Sequence, residues 1–184
     1  MSGQMSDVIV IDGEEFAIVE PAAESLFDAR SHGIKPVMMH TANTRGVNAR
    51  FKIENGALLL SELQVGSIDA PPPIAGVAAS TDEHGQTWTY LSVDLEIPWT
   101  GDMILGARPI RDLYVHAGFV PVWHYERVVA VDLEGGVVES IEDRSEQVAA
   151  FRAEKTGGGV AEDDDENGFE RFLSSLKIRL GFDD

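Results

Sequence analysis

The sequence predicts an α+β fold dominated by antiparallel sheet, and three observations carry that reading. Apolar, β-branched runs follow one another without helices between them, the pattern of antiparallel rather than crossover-linked sheet. Turn pairs that favour tight hairpins join those runs: Asp12-Gly13, Asn55-Gly56 and Gly135-Gly136. Helical patterning is confined to two or three short segments, the clearest at the C-terminus.

Val8 to Ile11 and Phe16 to Val19 read as two strands across Asp12-Gly13. Pro21 suits the first turn of a helix over Ala22 to Ser31, with Gly33 as a left-handed stop. Lys35 to His40 reads as extended. Val47 to Ile53 and Ala57 to Val65 form a hairpin at Asn55-Gly56. Ser67 to Ser80 is a loop around Pro71-Pro72-Pro73, and Thr87 to Ile97 alternates as a strand. The chain turns at Trp99 to Asp102 and leads on through Met103 to Leu105. Trp123 to Leu133 and Val137 to Ile141 form a further hairpin, and Ser145 caps a short helix through Ala153.

The last thirty or so residues are organised differently. Gly157-Gly158-Gly159 and the acidic run Glu162 to Glu166 make a linker, too polar and glycine-rich for a core. After it, Phe169, Phe172, Leu173, Leu176 and Leu180 fall on one face of a helix, with Asn167 and Glu170 placed as a capping box. The predicted organisation is a β-rich body over residues 5–153, a linker over 154–167 and an amphipathic helix over 168–182. So short a helix is marginal alone in water, so it packs on the body, self-associates or docks in a partner groove. Its five apolar residues are the expected docking set.

Composition narrows the function. The formal charge is −18, from 32 acidic and 14 basic residues. Such a surface repels phosphate, so neither nucleic acid nor an anionic membrane is an expected partner. It attracts a basic protein, and it equally serves solubility or high salt. With no cysteine, disulfides, thiolate metal sites and cysteine nucleophiles are excluded. Residues 1–7 lack the basic and apolar regions of a signal peptide, and no run reaches membrane-spanning length, so the expected compartment is the cytoplasm.

The densest polar cluster of the body is Thr41 to Phe51. Thr41, Asn43, Thr44 and Arg45 there suit an anionic or polar ligand, with the Arg45 guanidinium as its charged group. The structural alternative is a strand entry in which Asn and Thr bond the backbone. His124 and Glu126, two apart on an expected strand, share a face, and His116 precedes a glycine bend that can fold toward them. A metal site needs more convergence than this, so neither a metal nor a cofactor is expected. There is no Gly-x-Ser-x-Gly elbow, no phosphate loop and no dinucleotide fingerprint, so no catalytic residue is assigned.

Thr41-x-x-x-Arg45-Gly46-x-x-Ala49-x-Phe51 ahead of a hairpin, with Tyr114-x-His116-x-Gly118-Phe119, Tyr125-Glu126 and Gly135-Gly136 downstream, carries a resemblance. Over residues 40–138 the chain resembles a family of small uncharacterised bacterial proteins that have Ser/Thr-x-x-x-Arg-Gly-Tyr-x-Ala-x-Trp before a hairpin and a Tyr-x-His-x-Gly-Tyr/Phe segment after it. Val47 and Phe51 stand where those proteins carry aromatic Tyr and Trp. The resemblance implies a fold-level likeness and no activity.

Together these features predict a non-enzymatic, acidic binding or accessory protein, immunity- or antitoxin-like in its most concrete form, with a C-terminal docking peptide. Two alternatives stay open. One is a small enzyme or ligand-binding protein with its site near Arg45, His116, His124 and Glu126. The other is a cargo or oligomerising protein attached or self-associating through its tail.

Overall fold

The computed structural model describes residues 3–22, 25–83, 85–113, 118–157 and 166–179. Its strands are β1 (Val8–Ile11), β2 (Glu14–Glu20), β3 (Val47–Glu54), β4 (Ala57–Gly66), β5 (Ser80–Thr81), β6 (Thr87–Glu96), β7 (Gly101–Pro109), β8 (Tyr125–Glu134) and β9 (Val137–Asp143). Two helices follow, α1 (Ser145–Gly157) and α2 (Glu166–Leu176). The strands form one sheet in the order β3-β1-β2-β7-β8-β9-β4-β6-β5, and β3 also pairs with β4, so the sheet curls back on itself. Among the described residues only β1 and β3 pair as parallel strands, with Ile9 opposite Phe51; the other strand pairs are antiparallel. The fold is α+β.

Side-chain alternation along β2, β7 and β8 builds two cores. Phe16, Ile18, Met103, Leu105, Val129, Val131 and Leu133 point into the curl, where they meet Phe51, Leu60, Leu63 and Tyr90. Ile104, Val128 and Ala130 point outward and are covered by Val148 of α1 and by Leu173 and Leu176 of α2. Strands buried on both faces read as near-continuous apolar runs, which is what Met103 to Leu105 and Val128 to Val131 are. Gly106 is required between these layers, because a Cβ there would lie 2.4 Å from the Tyr125 ring.

Several local expectations need correction. In place of a helix over Ala22 to Ser31, the described residues hold a 3-10 turn at Ala29–His32. Asp28 Oδ1 accepts from the Arg30 amide, so the turn starts there, and Gly33 at φ 76° ends it as expected. β7 runs well past Leu105. Val122–His124 is a 3-10 turn opened by Pro121, so His124 precedes β8 instead of sharing a strand face with Glu126. α1 continues to Gly157, into the segment expected to be linker. Asp143, not Ser145, caps α1 with its carboxylate on the Ser145 amide, while the Ser145 hydroxyl accepts from the Val128 amide of β8.

The tail helix begins at Glu166 and lies on the body. Leu176 is fully buried, Leu173 nearly so, and Phe169 and Phe172 are half-buried against the same cluster. Its C-terminal end is tied by charge. Arg144 Nε donates to the Leu176 carbonyl at 2.9 Å, Lys177 pairs with Glu20 at 3.0 Å, and the Ile178 and Arg179 amides donate to Asp102. Arg179 itself reaches Asp132 and Glu134. Leu180 lies outside the described residues. No helix of the described residues is long and apolar enough to cross a membrane.

Candidate functional site

The entry to β3 is held by one side chain. Asn43 is buried, and its Oδ1 accepts from the Gly46 amide at 3.0 Å while its Nδ2 donates to the Val47 carbonyl at 3.1 Å. Gly46 has φ 71°, and a Cβ on it would meet the Val37 carbonyl at 2.1 Å, so only glycine fits the turn. The turn directs Arg45 toward the segment before β1. There Asp7, only 3% exposed, accepts from the Ala49 amide at 2.9 Å and from Arg45 Nη2 at 3.2 Å through Oδ1, and from Nη1 at 3.5 Å through Oδ2. Burial raises the Asp7 carboxyl above its ordinary value, against the lowering effect of the Ala49 amide and the Arg45 charge. Thr44 and the Thr41 carbonyl are laced to Gln4.

Arg45 and Asp7 form the polar floor of a cleft of about 490 Å³. One wall is Ile18, Val19 and Pro21 at the end of β2. A second is Phe119 to Pro121 and Trp123, and a third is Phe169 and Leu173 of α2. Glu20, whose carboxylate pairs with Lys177, and Glu170 are also among the lining residues. The aromatic wall is stiff: Trp123 meets Phe169 edge-on at 5.0 Å and Phe151 at 5.7 Å, and Phe151 stacks on Phe172 at 3.7 Å. Arg152 of α1 donates to the Trp123 and Tyr125 carbonyls, and the Lys155 ammonium sits 5.1 Å from the Trp123 ring. These contacts fix the 3-10 turn that presents Trp123.

The structure brings few of the sequence-predicted residues together. Arg45 lines the cleft. Asn43 serves the turn, and Thr41 is exposed beside it, its carbonyl bonded to Gln4. His124 lies edge-on to Trp123 and is not among the lining residues. Burial, with the Arg152 charge added, holds its imidazole below the ordinary value. Its Nδ1 is buried and has no hydrogen-bond partner among the described residues. Glu126 is exposed, and His116 lies outside the described residues. Among the described residues no three His, Asp or Glu side chains group as a metal site. Sequence reasoning missed Asp7, Phe119 and Trp123. The one signal for Asp7 was a lone carboxylate directly preceding an apolar strand.

Compared with known proteins, the chain matches no family model, no curated sequence and no solved structure, so the site rests on its own geometry.

Proposed function

We propose that the chain is a non-catalytic, acidic binding protein whose ligand is an amphipathic cation, with its apolar part in the cleft above Arg45 and its cationic end at the carboxylates. One observation carries this: a concave, largely apolar and aromatic cleft with a few placed polar groups, the common form of a ligand site. Charge decides the sign of the ligand. Arg45 is offset by Asp7 and Lys177 by Glu20, while Glu170 has no ionic partner among the described residues. The Trp123 ring already carries the Lys155 ammonium, so further attraction to a cation comes from the Phe119 and Phe169 rings, and the overall charge of −18 draws the cation in.

A basic protein presenting such a side chain is the macromolecular form of the same reading, and an immunity- or antitoxin-like role in the cytoplasm is its most concrete case. Catalysis has less in its favour, since both oxygens of Asp7 already accept hydrogen bonds. With Leu173 and Leu176 under the body's own sheet, a cargo or oligomerising role carried by α2 has no observation behind it. Nucleic acid is not proposed, because the net charge opposes counterion-release binding.

The test compares 4-phenylbutylamine with 4-phenylbutyrate, matched in apolar body and opposite in charge. Each is titrated into the full chain with tryptophan fluorescence as the readout and Trp123→Phe as the control. The amine is expected to saturate at about 0.1–5 mM, the affinity open to a ligand this small, with the response lost in Trp123→Phe. Equal binding of the carboxylate, or no saturation by the amine, overturns the proposal.

A further inference from the structure

We propose that a second cavity, of about 300 Å³, is an anion site that takes a small organic carboxylate between Arg30 and Arg45. Residues 29–53 form the longest stretch of this acidic chain without an Asp or Glu, and they carry Arg30, Lys35, Arg45, Arg50 and Lys52. Arg50 pairs with Glu15, Lys52 with Glu54 and Asp94, and Arg45 with Asp7. Arg30 has no ionic partner among the described residues and is exposed. It borders the same cavity as Arg45.

Arg30 and Arg45 border the cavity from separate segments, each fixed by its own turn. Arg30 stands on the 3-10 turn capped by Asp28 and closed by Gly33. Arg45 stands on the turn held by Asn43. The Arg45 contacts to Asp7, at 3.2 and 3.5 Å, are long for charge-assisted bonds, which run about 2.7–2.9 Å. Arg45 Nη2 also donates to the Met5 carbonyl at 3.4 Å, and with five N–H donors the guanidinium retains capacity for one further acceptor. A planar carboxylate matches that geometry. Phe27, Pro36 and Val47 supply apolar contact for the rest of the ligand.

Two negative features limit the ligand. Asp28 also lines the cavity, and the whole chain carries −18. A multiply charged phosphate meets that repulsion several times over and a monocarboxylate once, so the site favours a singly charged anion with an apolar body. Phe27, Arg30 and Pro36 do not line the cleft of the proposed function, so the two proposals stand apart although Arg45 borders both cavities.

The experiment is amide NMR on the isotopically labelled full chain near neutral pH, titrated with benzoate, its neutral analogue benzamide, and inorganic phosphate. Benzoate is expected to give saturable shifts at residues 27–30 and 45–47, and the other two probes none. Arg30→Gln, at an exposed position, keeps the remaining spectrum and weakens benzoate by about tenfold or more, the loss of a charge-assisted pair. Four results overturn the inference. These are no saturable shift below about 50 mM, equal shifts with benzamide or phosphate, benzoate affinity unchanged in Arg30→Gln, and shifts centred on Trp123 and Phe169, which assign the anion to the other cleft.

Discussion

Leu176→Ala tests whether α2 belongs to the fold or is a peptide held in reserve. Leu176 is fully buried in the outer cluster, against the face that carries Ile104, Val128 and Ala130, with Val148 of α1 in the same cluster. Truncating a leucine in such a position removes its transfer free energy and leaves a cavity, at a cost of about 2–5 kcal/mol. For a domain of this size each kcal/mol lowers Tm by about 2–4 °C, so the expected drop is about 4–20 °C. Arg171→Ala, at an exposed position of the same helix, should stay within about 0.5 kcal/mol of wild type. The assay is thermal and urea denaturation followed by near- and far-ultraviolet circular dichroism, with sedimentation on the same samples. A single cooperative transition, shifted down, with unchanged mass is the expected outcome. Two results refute the reasoning. One is a Tm within about 2 °C of wild type, below the smallest shift the burial implies. The other is a separate early transition of helical signal with the main transition unmoved, which would make α2 an independent unit.

Three further outcomes follow from the same contacts. Gly106→Ala drives a methyl into the Tyr125 ring and should cost about 1–3 kcal/mol or more by overpacking, read as a lower urea midpoint. Arg179→Gln removes contacts to Asp132, Glu134 and the Leu133 carbonyl, so Tm should fall, and the gap from wild type should narrow as salt screens the wild-type pairs; a gap that does not change with salt would mean that these pairs do not hold the segment. Asp7 is raised in the folded state from its value of 3.8, so its contribution to stability is present below pH 3.8 and is lost as pH rises through the folded value. The stability of Asp7→Asn minus that of wild type should therefore rise with pH across that window. A flat difference would show that the carboxyl is not raised.

Elements set by short-range chemistry were legible. The hairpins at Asp12-Gly13, Asn55-Gly56 and Gly135-Gly136 appear where the turn pairs place them, because a two-residue turn fixes its own register. The failures are places where a nearby cap and a distant contact together override composition. The stretch after Pro21 has helical composition, yet Asp28 supplies a cap that starts a 3-10 turn late, and the neighbouring Leu26 and Phe27 are drawn into the inner core. Trp123 and His124 look like the start of a strand, but Arg152 from α1 binds the Trp123 carbonyl and Pro121 opens a turn there. The cleft was illegible for the same reason. Its floor comes from residues 7 and 45 and its walls from residues near 20, 120 and 170, with no spacing rule connecting them.

The role of α2 shows what an amphipathic pattern can and cannot say. The stripe of Phe169, Phe172, Leu173 and Leu176 states that the helix meets an apolar surface, and it is silent on whose surface that is. The deciding signal lay elsewhere in the chain. Met103-Ile104-Leu105 and Val128 to Val131 are apolar at successive positions, so each strand presents apolar side chains on both faces. One face of each is filled by the curl of the sheet. The other needs a cover, and the helical segments that follow β9 are the ones available. α1 brings Val148 to that face and α2 brings Leu173 and Leu176. Matching the unpaired apolar face of β7 and β8 to the helix stripe would have placed α2 on the body from sequence alone. The same step explains why the cleft depends on α2, since Phe169 and Leu173 border it from the helix that also closes the outer core.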